Sequence, residues 1–254
     1  MCIVFFSYKS HPRYSLIVAF NRDEYFARET LPAHFWEGTS VLAGKDVVRG
    51  GTWFGMTREG RYSWLTNFRS GKRPVSGQKS RGALVKNYLL TEETPGDYLR
   101  KVDEEALLYG GCNLVVGDGK QLHYYSTITR KIQELSPGIY GLSNHLLDTA
   151  WPKLAYGKQA FAAAVQHEDE QQIRDELLQL MRNRRRASVF KLPKTGVSKY
   201  FEWYLSAIFV DMHRHGYGTR STTLLLITYE GTANYYEYTH RNTSSDLLEF
   251  SIKL

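Results

Sequence analysis

Two β-branched and aromatic runs stand at the head of the chain, Ile3-Val4-Phe5-Phe6 and Ser15-Leu16-Ile17-Val18-Ala19-Phe20, joined by Ser10-His11-Pro12-Arg13. Such runs favour the pleated surface of a sheet, and a polar, proline-containing connection between them predicts an antiparallel hairpin. The second arm then continues into Asn21-Arg22-Asp23-Glu24, four polar residues where a buried strand would still be apolar. The first arm begins at Cys2, directly after the initiator methionine. A small residue at that position allows Met1 to be trimmed, which leaves a thiol and a free α-amine on one residue. With the amine titrating near pH ~8 and the thiol near ~8.5, such a residue is a nucleophile and its own base.

Later runs repeat the hairpin theme. Strands are predicted at Val47-Val48 and over 52–56, 61–67, 112–117, 122–125, 132–135, 222–229, 235–239 and 247–252, with turns at Arg49-Gly50-Gly51, Arg58-Glu59-Gly60, Asp118-Gly119 and Glu230-Gly231. Residues 25–40 read as irregular and 69–79 as an exposed loop. Helical spacing is found from a Ser80 cap over 82–90, over 96–108, from an Asp148-Thr149 cap into Trp151-Pro152 and on to 166, and over 170–181. Hairpins segregated from helices predict an α+β layered domain rather than a parallel doubly wound sheet. With no internal repeat and no linker, 1–254 is expected to be one domain.

Content of 42% hydrophobic and 14% aromatic residues excludes disorder, and 254 residues can bury a sizeable core. No apolar run reaches the ~20 residues of a membrane span, and no secretory signal opens the chain, so a cytoplasmic protein is expected. Cys2 and Cys112 make neither a disulfide framework nor a zinc site, and Cys112 in its strand reads as a small buried hydrophobe. His213 and His215 alternate without carboxylate neighbours, so no metal is expected. The net charge of +7 raises the question of nucleic acid. Its densest run, Arg182-Asn183-Arg184-Arg185-Arg186 followed by Lys191 and Lys194, comes with no zinc finger, ribonucleoprotein motif or helix-turn-helix. The run reads as a solvated loop, and a small anionic compound is the expected partner instead. Oligomeric state has no signal.

On a strand, alternate residues share a face, so Cys2, Val4 and Phe6 go together, Asn21 shares a face with Asp23, and Arg22 with Glu24. One reading of the four polar residues is a turn. The other has Asp23 accepting a hydrogen bond from the Cys2 amine, while Arg22 lowers the thiol pKa or grips an anion. Adjacent strand residues point opposite ways, so Arg22 and Asp23 can both address the thiol only if a bulge intervenes. Asn67 and Asn144 each follow a hydroxyl residue, in Thr66-Asn67 and Ser143-Asn144. Carboxamides at strand ends can hold an oxyanion, though asparagine is also common in turns. Arg220, at the mouth of Leu224-Leu225-Leu226-Ile227, needs an anionic partner, structural or catalytic.

Together these stretches carry a resemblance. Met1-Cys2, Asn21-Arg22-Asp23-Glu24, Arg49-Gly50-Gly51-Thr52-Trp53-Phe54-Gly55, Leu65-Thr66-Asn67-Phe68-Arg69, Gly141-Leu142-Ser143-Asn144, Leu147-Asp148-Thr149, Trp151-Pro152-Lys153 and Tyr217-Gly218-Thr219-Arg220-Ser221 resemble, in order, the NRDE or TANGO2 (transport and Golgi organization 2) family. That family is similar to the N-terminal nucleophile hydrolases of the penicillin acylase and bile-salt hydrolase branch. The resemblance implies a four-layer αββα sandwich of two antiparallel sheets, with Cys2 as nucleophile and Asp23, Asn67, Asn144 and Arg220 as catalytic residues. Asn21, Arg22, Glu24 and Trp53 would contact substrate. It implies hydrolysis of a non-peptide amide or thioester bond without a cofactor. Alternatively, given the family's links to Golgi organisation, lipid and acyl-CoA metabolism and haem movement, the same cleft would carry haem or acyl-CoA without catalysis.

Overall fold

The opening hairpin forms as alternation requires. β1 (Cys2–Tyr8) and β2 (Tyr14–Tyr25) pair antiparallel, with Cys2 opposite Arg22 and Val4 opposite Phe20. The computed structural model describes residues 2–71, 78–240 and 245–254, so Met1 and residues 72–77 of the expected 69–79 loop lie outside the described residues. Seven consecutive strands form a meander: β3 (Thr30–Phe35), β4 (Val41–Asp46), β5 (Phe54–Thr57), β6 (Tyr62–Asn67), β7 (Cys112–Gly117), β8 (Leu122–Ser126) and β9 (Lys131–Glu134). Later strands complete the sheet begun by the hairpin. β10 (Gly138–Leu142) joins β1, the short β11 (Asp211–Met212) pairs with β12 (Tyr217–Thr228), and β12 lies between β2 and β13 (Thr232–His240), which in turn pairs with β14 (Ser245–Lys253). All of these pairings are antiparallel.

Three apolar interfaces make the layers. Between the sheets lie Val4, Phe6 and Phe20 from one side and Phe54 and Trp64 from the other. Phe6 meets Trp64 edge-on at 5.2 Å, and Phe54 stacks on Trp64 at 5.8 Å. The opposite face of β1 and β2, with Ile3, Phe5 and Ile17, packs against α3 (Pro152–Ala164) and α4 (Glu170–Met181) through Phe161, Ile173 and Leu177. Outside the meander, Leu114 and Val116 face Leu84, Val85 and Leu99 of α1 (Gly82–Leu90) and α2 (Pro95–Glu104). Period-two alternation in β1 thus serves two cores at once, and the result is the αββα sandwich. The fit is tight where α3 crosses β1: a Cβ on Gly157 would stand 2.1 Å from the Phe5 ring. Among the described residues no helix is long and apolar enough to cross a membrane.

Five local expectations are corrected. Residues 25–40 are not irregular throughout; they contain β3, an edge strand in which only Ala33 is buried and Pro32 is tolerated because its missing N–H faces no partner. Val47 and Val48 lie in an exposed turn just after β4, their apolar character notwithstanding. Residues 138–142 form an edge strand hidden from the reading by two glycines. Asp148 does not cap α3, whose N-cap is Trp151. With φ at 54°, Asp148 accepts the Gly141 N–H at 2.8 Å and pairs with Lys158. Nor does Ser80 cap α1, since Arg81 holds that position without a side-chain bond.

Candidate active site

At one end of the sandwich, where β1, β2 and β6 terminate, a cleft of about 560 Å³ is lined by Cys2, Arg22, Asp23, Glu24, Trp53 and Asn67, with Tyr217 from β12. The register places each group. Cys2 faces Arg22 across the hairpin, so the arginine, not the aspartate, shares the thiol's side of the sheet. Asp23 lies one residue further along β2, past the strand partner of Cys2, and so reaches the cleft from the other face. β12 carries one extra residue, Arg220, between its pairings with Arg22 and Asp23, so the bulge lies in the partner strand. The Trp53 loop is pressed against the start of α1: a Cβ on Gly51 would lie 2.5 Å from the Gly82 backbone, and Thr52 N–H donates to the Gly82 carbonyl at 3.2 Å.

Electrostatics in the cleft are set by burial. Burial pushes the Cys2 thiol up to about 11, with the Asp23 charge adding to the rise and Arg22 opposing it. Burial likewise pushes Asp23 up to about 6, against the opposing charge of Lys153 and a 2.7 Å hydrogen bond from the Thr219 hydroxyl. The Arg22 guanidinium lies 4.0 Å over the Trp53 ring. It is 4% exposed, and its Nη1 finds no hydrogen-bond partner among the described residues. Farther in, Glu237 bridges the sheets by accepting the Ala33 N–H at 2.7 Å, and burial holds its carboxyl up at about 7. Arg28, paired with Asp46 at 2.9 Å, stands with Arg49 and Arg81 on the rim.

Three expected site residues lie outside the lining. Asn21 turns to the helix layer, where its amide donates to the Met181 and Ile208 carbonyls at 2.8 and 3.1 Å and its Oδ1 accepts from Thr222. It fastens β2 to the layer above. Asn144 is buried, and its amide donates to the Asn67 carbonyl at 3.0 Å. The Ser143 hydroxyl donates to the Cys2 carbonyl at 3.2 Å, so Ser143-Asn144 ties the two strand ends of the cleft together. Arg220 points away from the thiol, donating to the Tyr25 and Arg28 carbonyls, and lines a separate cavity with Phe26, His213 and His240. A bulged residue loses its neighbours' alternation, which turns Arg220 from the cleft where the resemblance had put it.

Residues given no role by sequence reasoning stand behind the thiol. Lys153 at the start of α3 is 5% exposed and donates to the Leu205 carbonyl at 2.9 Å; burial and the Arg69 charge bring it down to about 7. Arg69 pairs with the equally buried Glu202 at 3.1 Å and lies over Trp151. Arg69 ends Leu65-Thr66-Asn67-Phe68-Arg69 and Lys153 ends Trp151-Pro152-Lys153, but nothing in local spacing signals that charged side chains will be buried together.

A family model described as transport and Golgi organisation 2 matches residues 1–242. The chain belongs to the TANGO2 family. It is 35% identical over 259 residues to the Transport and Golgi organization protein 2 homolog of Bos taurus, covering 93% of this chain and 92% of that one. The Homo sapiens homolog is 33% identical at the same coverage, and the Drosophila melanogaster protein 29% identical over 94% of this chain and 92% of that one. Among solved structures the TANGO2 chain is similar to the C2A mutant of conjugated bile acid hydrolase from Clostridium perfringens, with TM-score 0.52 and 11% identity over 98% of this chain and 92% of that one. Another variant of the same hydrolase gives TM-score 0.50 and 10% identity, covering 100% and 97%. At such identities the likeness is one of fold, that of the N-terminal nucleophile hydrolases.

Proposed function

We propose that this TANGO2 protein hydrolyses a non-peptide amide or a thioester of a small anionic acyl compound, with Cys2 as nucleophile. The observation that carries the reading is the convergence of Cys2, Arg22, Asp23 and Asn67 on one cleft of about 560 Å³. The bile acid hydrolase of like fold, solved as its C2A mutant, also has a cysteine as its second residue. Removal of Met1 would leave the Cys2 amine beside Asp23, whose ionised carboxylate orients it. In its neutral form that amine takes the thiol proton as Sγ attacks the substrate carbonyl carbon. Asn67 then donates to the oxyanion, the protonated amine returns its proton to the leaving nitrogen, and the C–N bond breaks to leave a thioester on Cys2. Water, deprotonated by the same amine, releases the acid. The unpartnered Nη1 of Arg22 suits an anionic group on the substrate. Two free thiols suit a reducing compartment such as the cytoplasm.

The test pairs mass spectrometry of the native N-terminus with a panel of anionic acyl amides and thioesters, Cys2→Ala serving as control. Removal of Met1 together with Cys2-dependent turnover is the expected result, and retained Met1 in a protein that turns over nothing overturns the reading.

One observation favours a second reading, a carrier that binds without catalysis: Cys2 is buried to 6% exposure, and burial pushes its thiol up, which disfavours the thiolate at neutral pH. Of the two ligands considered, acyl-CoA fits the lining better than haem, because Arg28, Arg49 and Arg81 on the rim suit phosphates, whereas among the described residues no histidine lines the cleft. Wild-type binding of acyl-CoA by Cys2→Ala, with no turnover by the parent protein, would select the carrier.

A further inference from the structure

Net charge is not spread over this molecule. The chain has 33 Lys and Arg against 26 Asp and Glu; seven of the cations fall in Arg182–Lys199, which holds no acid, so 26 of each sign remain elsewhere. This segment joins α4 to α5 (Lys199–Tyr204) and crosses the surface over the α3 end of the molecule. Intramolecular partners engage three of its seven cations, Arg182 lying 5.8 Å from the Tyr238 ring. Arg184 is 4.0 Å from Asp211, and Arg186 lies 4.2 Å from both the Trp203 and Tyr204 rings. Arg185, Lys191, Lys194 and Lys199 have no ion-pair partner among the described residues.

At the centre of the run the chain makes one 3-10 turn, Val189–Lys191, and presents its most apolar residues outward: Phe190 is 95% exposed and Val189 55%. Beside the turn is a cavity of about 300 Å³ lined by Lys153, Arg185, Arg186, Ser188, Lys191 and Ser206, with no carboxylate in its wall among the described residues. Leu107 gives the contrast. It is 88% exposed too, but follows Asp103, Glu104 and Glu105.

We propose that the face formed by residues 182–199 docks on an anionic lipid bilayer, with Phe190 entering the acyl boundary and a headgroup phosphate seated in the basic cavity. An aromatic tip ringed by cations matches the two requirements of interfacial binding, apolar insertion and attraction to the negative surface, neither of which anchors well alone. A nucleic acid duplex would satisfy the cations, but its bases are stacked on one another and leave an outward Phe190 in water. Two copies of this face would set seven cations against seven, which opposes self-association through it.

The experiment uses the full chain and sedimentation with phosphatidylcholine vesicles, with and without phosphatidylserine. The expected result is binding that requires phosphatidylserine and is lost as salt rises. Lys191→Glu and Arg185→Glu should each weaken it roughly fivefold or more. Phe190→Ser, which removes no core packing, should weaken it by a similar factor, and Leu107→Ser should leave it unchanged. The proposal is overturned if the protein ignores charged vesicles. It also fails if Phe190→Ser binds them as the parent does, as a mere polyanion site would. Conversion of a dimer to a monomer by Phe190→Ser, without vesicle binding, would instead make the face a contact between copies.

Discussion

Two cysteines in this protein form a natural pair. Cys2 is 6% exposed and Cys112 0%, both are free, and burial pushes both thiols up to about 11. What surrounds them differs. Cys112 lies in β7 under α1 and α2, among Leu84, Val85 and Leu114, and its own backbone is tied to Thr127. Cys2 stands at the first position of β1, at the wall of a cleft, with a buried guanidinium and a buried carboxylate as neighbours. Burial and a raised pKa therefore do not set the proposed nucleophile apart from a packing residue. Access and charge do, and in this fold they occur where strands end.

The comparison can be broken most sharply by truncation. For any substrate the protein turns over, Cys2→Ala should lower kcat to background, at least about a thousandfold. Cys112→Ala should leave kcat unchanged and cost only about 1–2 kcal/mol of stability, read from urea unfolding. Equal losses in both variants would erase the distinction. Next in size is Asn67→Ala, which removes one oxyanion donor and should reduce kcat about a hundredfold with little change in KM. Asn144→Ala should reduce kcat less, because its amide acts through the Asn67 carbonyl.

Asp23 provides a test on stability rather than rate. Its carboxyl is held up at about 6 in the fold and returns to ~4 on unfolding, so the folded state binds the proton more tightly. The Asp23 contribution to stability is then fully present below pH ~4 and falls by about 3 kcal/mol as the pH rises to 6. Asp23→Asn keeps an acceptor for Thr219 and should flatten that part of the pH profile of urea unfolding. An unchanged slope would mean the carboxyl is not buried as described. The smallest effect is in thiol alkylation. Rates for both cysteines should keep climbing toward pH 11, with Cys2 modified first and Cys112 only through transient opening. In protein lacking Met1, the adjacent ammonium should move the Cys2 curve to lower pH and leave that of Cys112 in place.

Much of this was legible before any coordinates. The hairpin at the head of the chain, the strands 61–67 and 112–117 and the helices over 82–90 and 170–181 announced themselves by alternation or by helical spacing. Strands with little apolar content, β3 with its proline and β10 with two glycines, did not, because edge strands are stabilised by a neighbour's backbone rather than by their own side chains. In the cleft, Cys2, Arg22, Asp23, Glu24, Trp53 and Asn67 were named from residue type and motif order. Asn21, Asn144 and Arg220 were placed there too, yet each spends its side chain on backbone carbonyls nearby. Lys153, Arg69 and Glu202 were passed over, since a buried cluster of opposite charges is assembled from three distant stretches.

Sequence alone determined the family, the α+β sandwich and the thiol at the head of the first strand, because period-two alternation and motif order are local properties written along the chain. Only the tertiary structure decided that Arg22, not Asp23, shares the face of Cys2, that an extra residue in β12 turns Arg220 aside, and that Phe190, inside the basic run, faces outward. Register, bulges and burial arise from how separate strands and loops meet, and no single stretch of sequence contains that meeting.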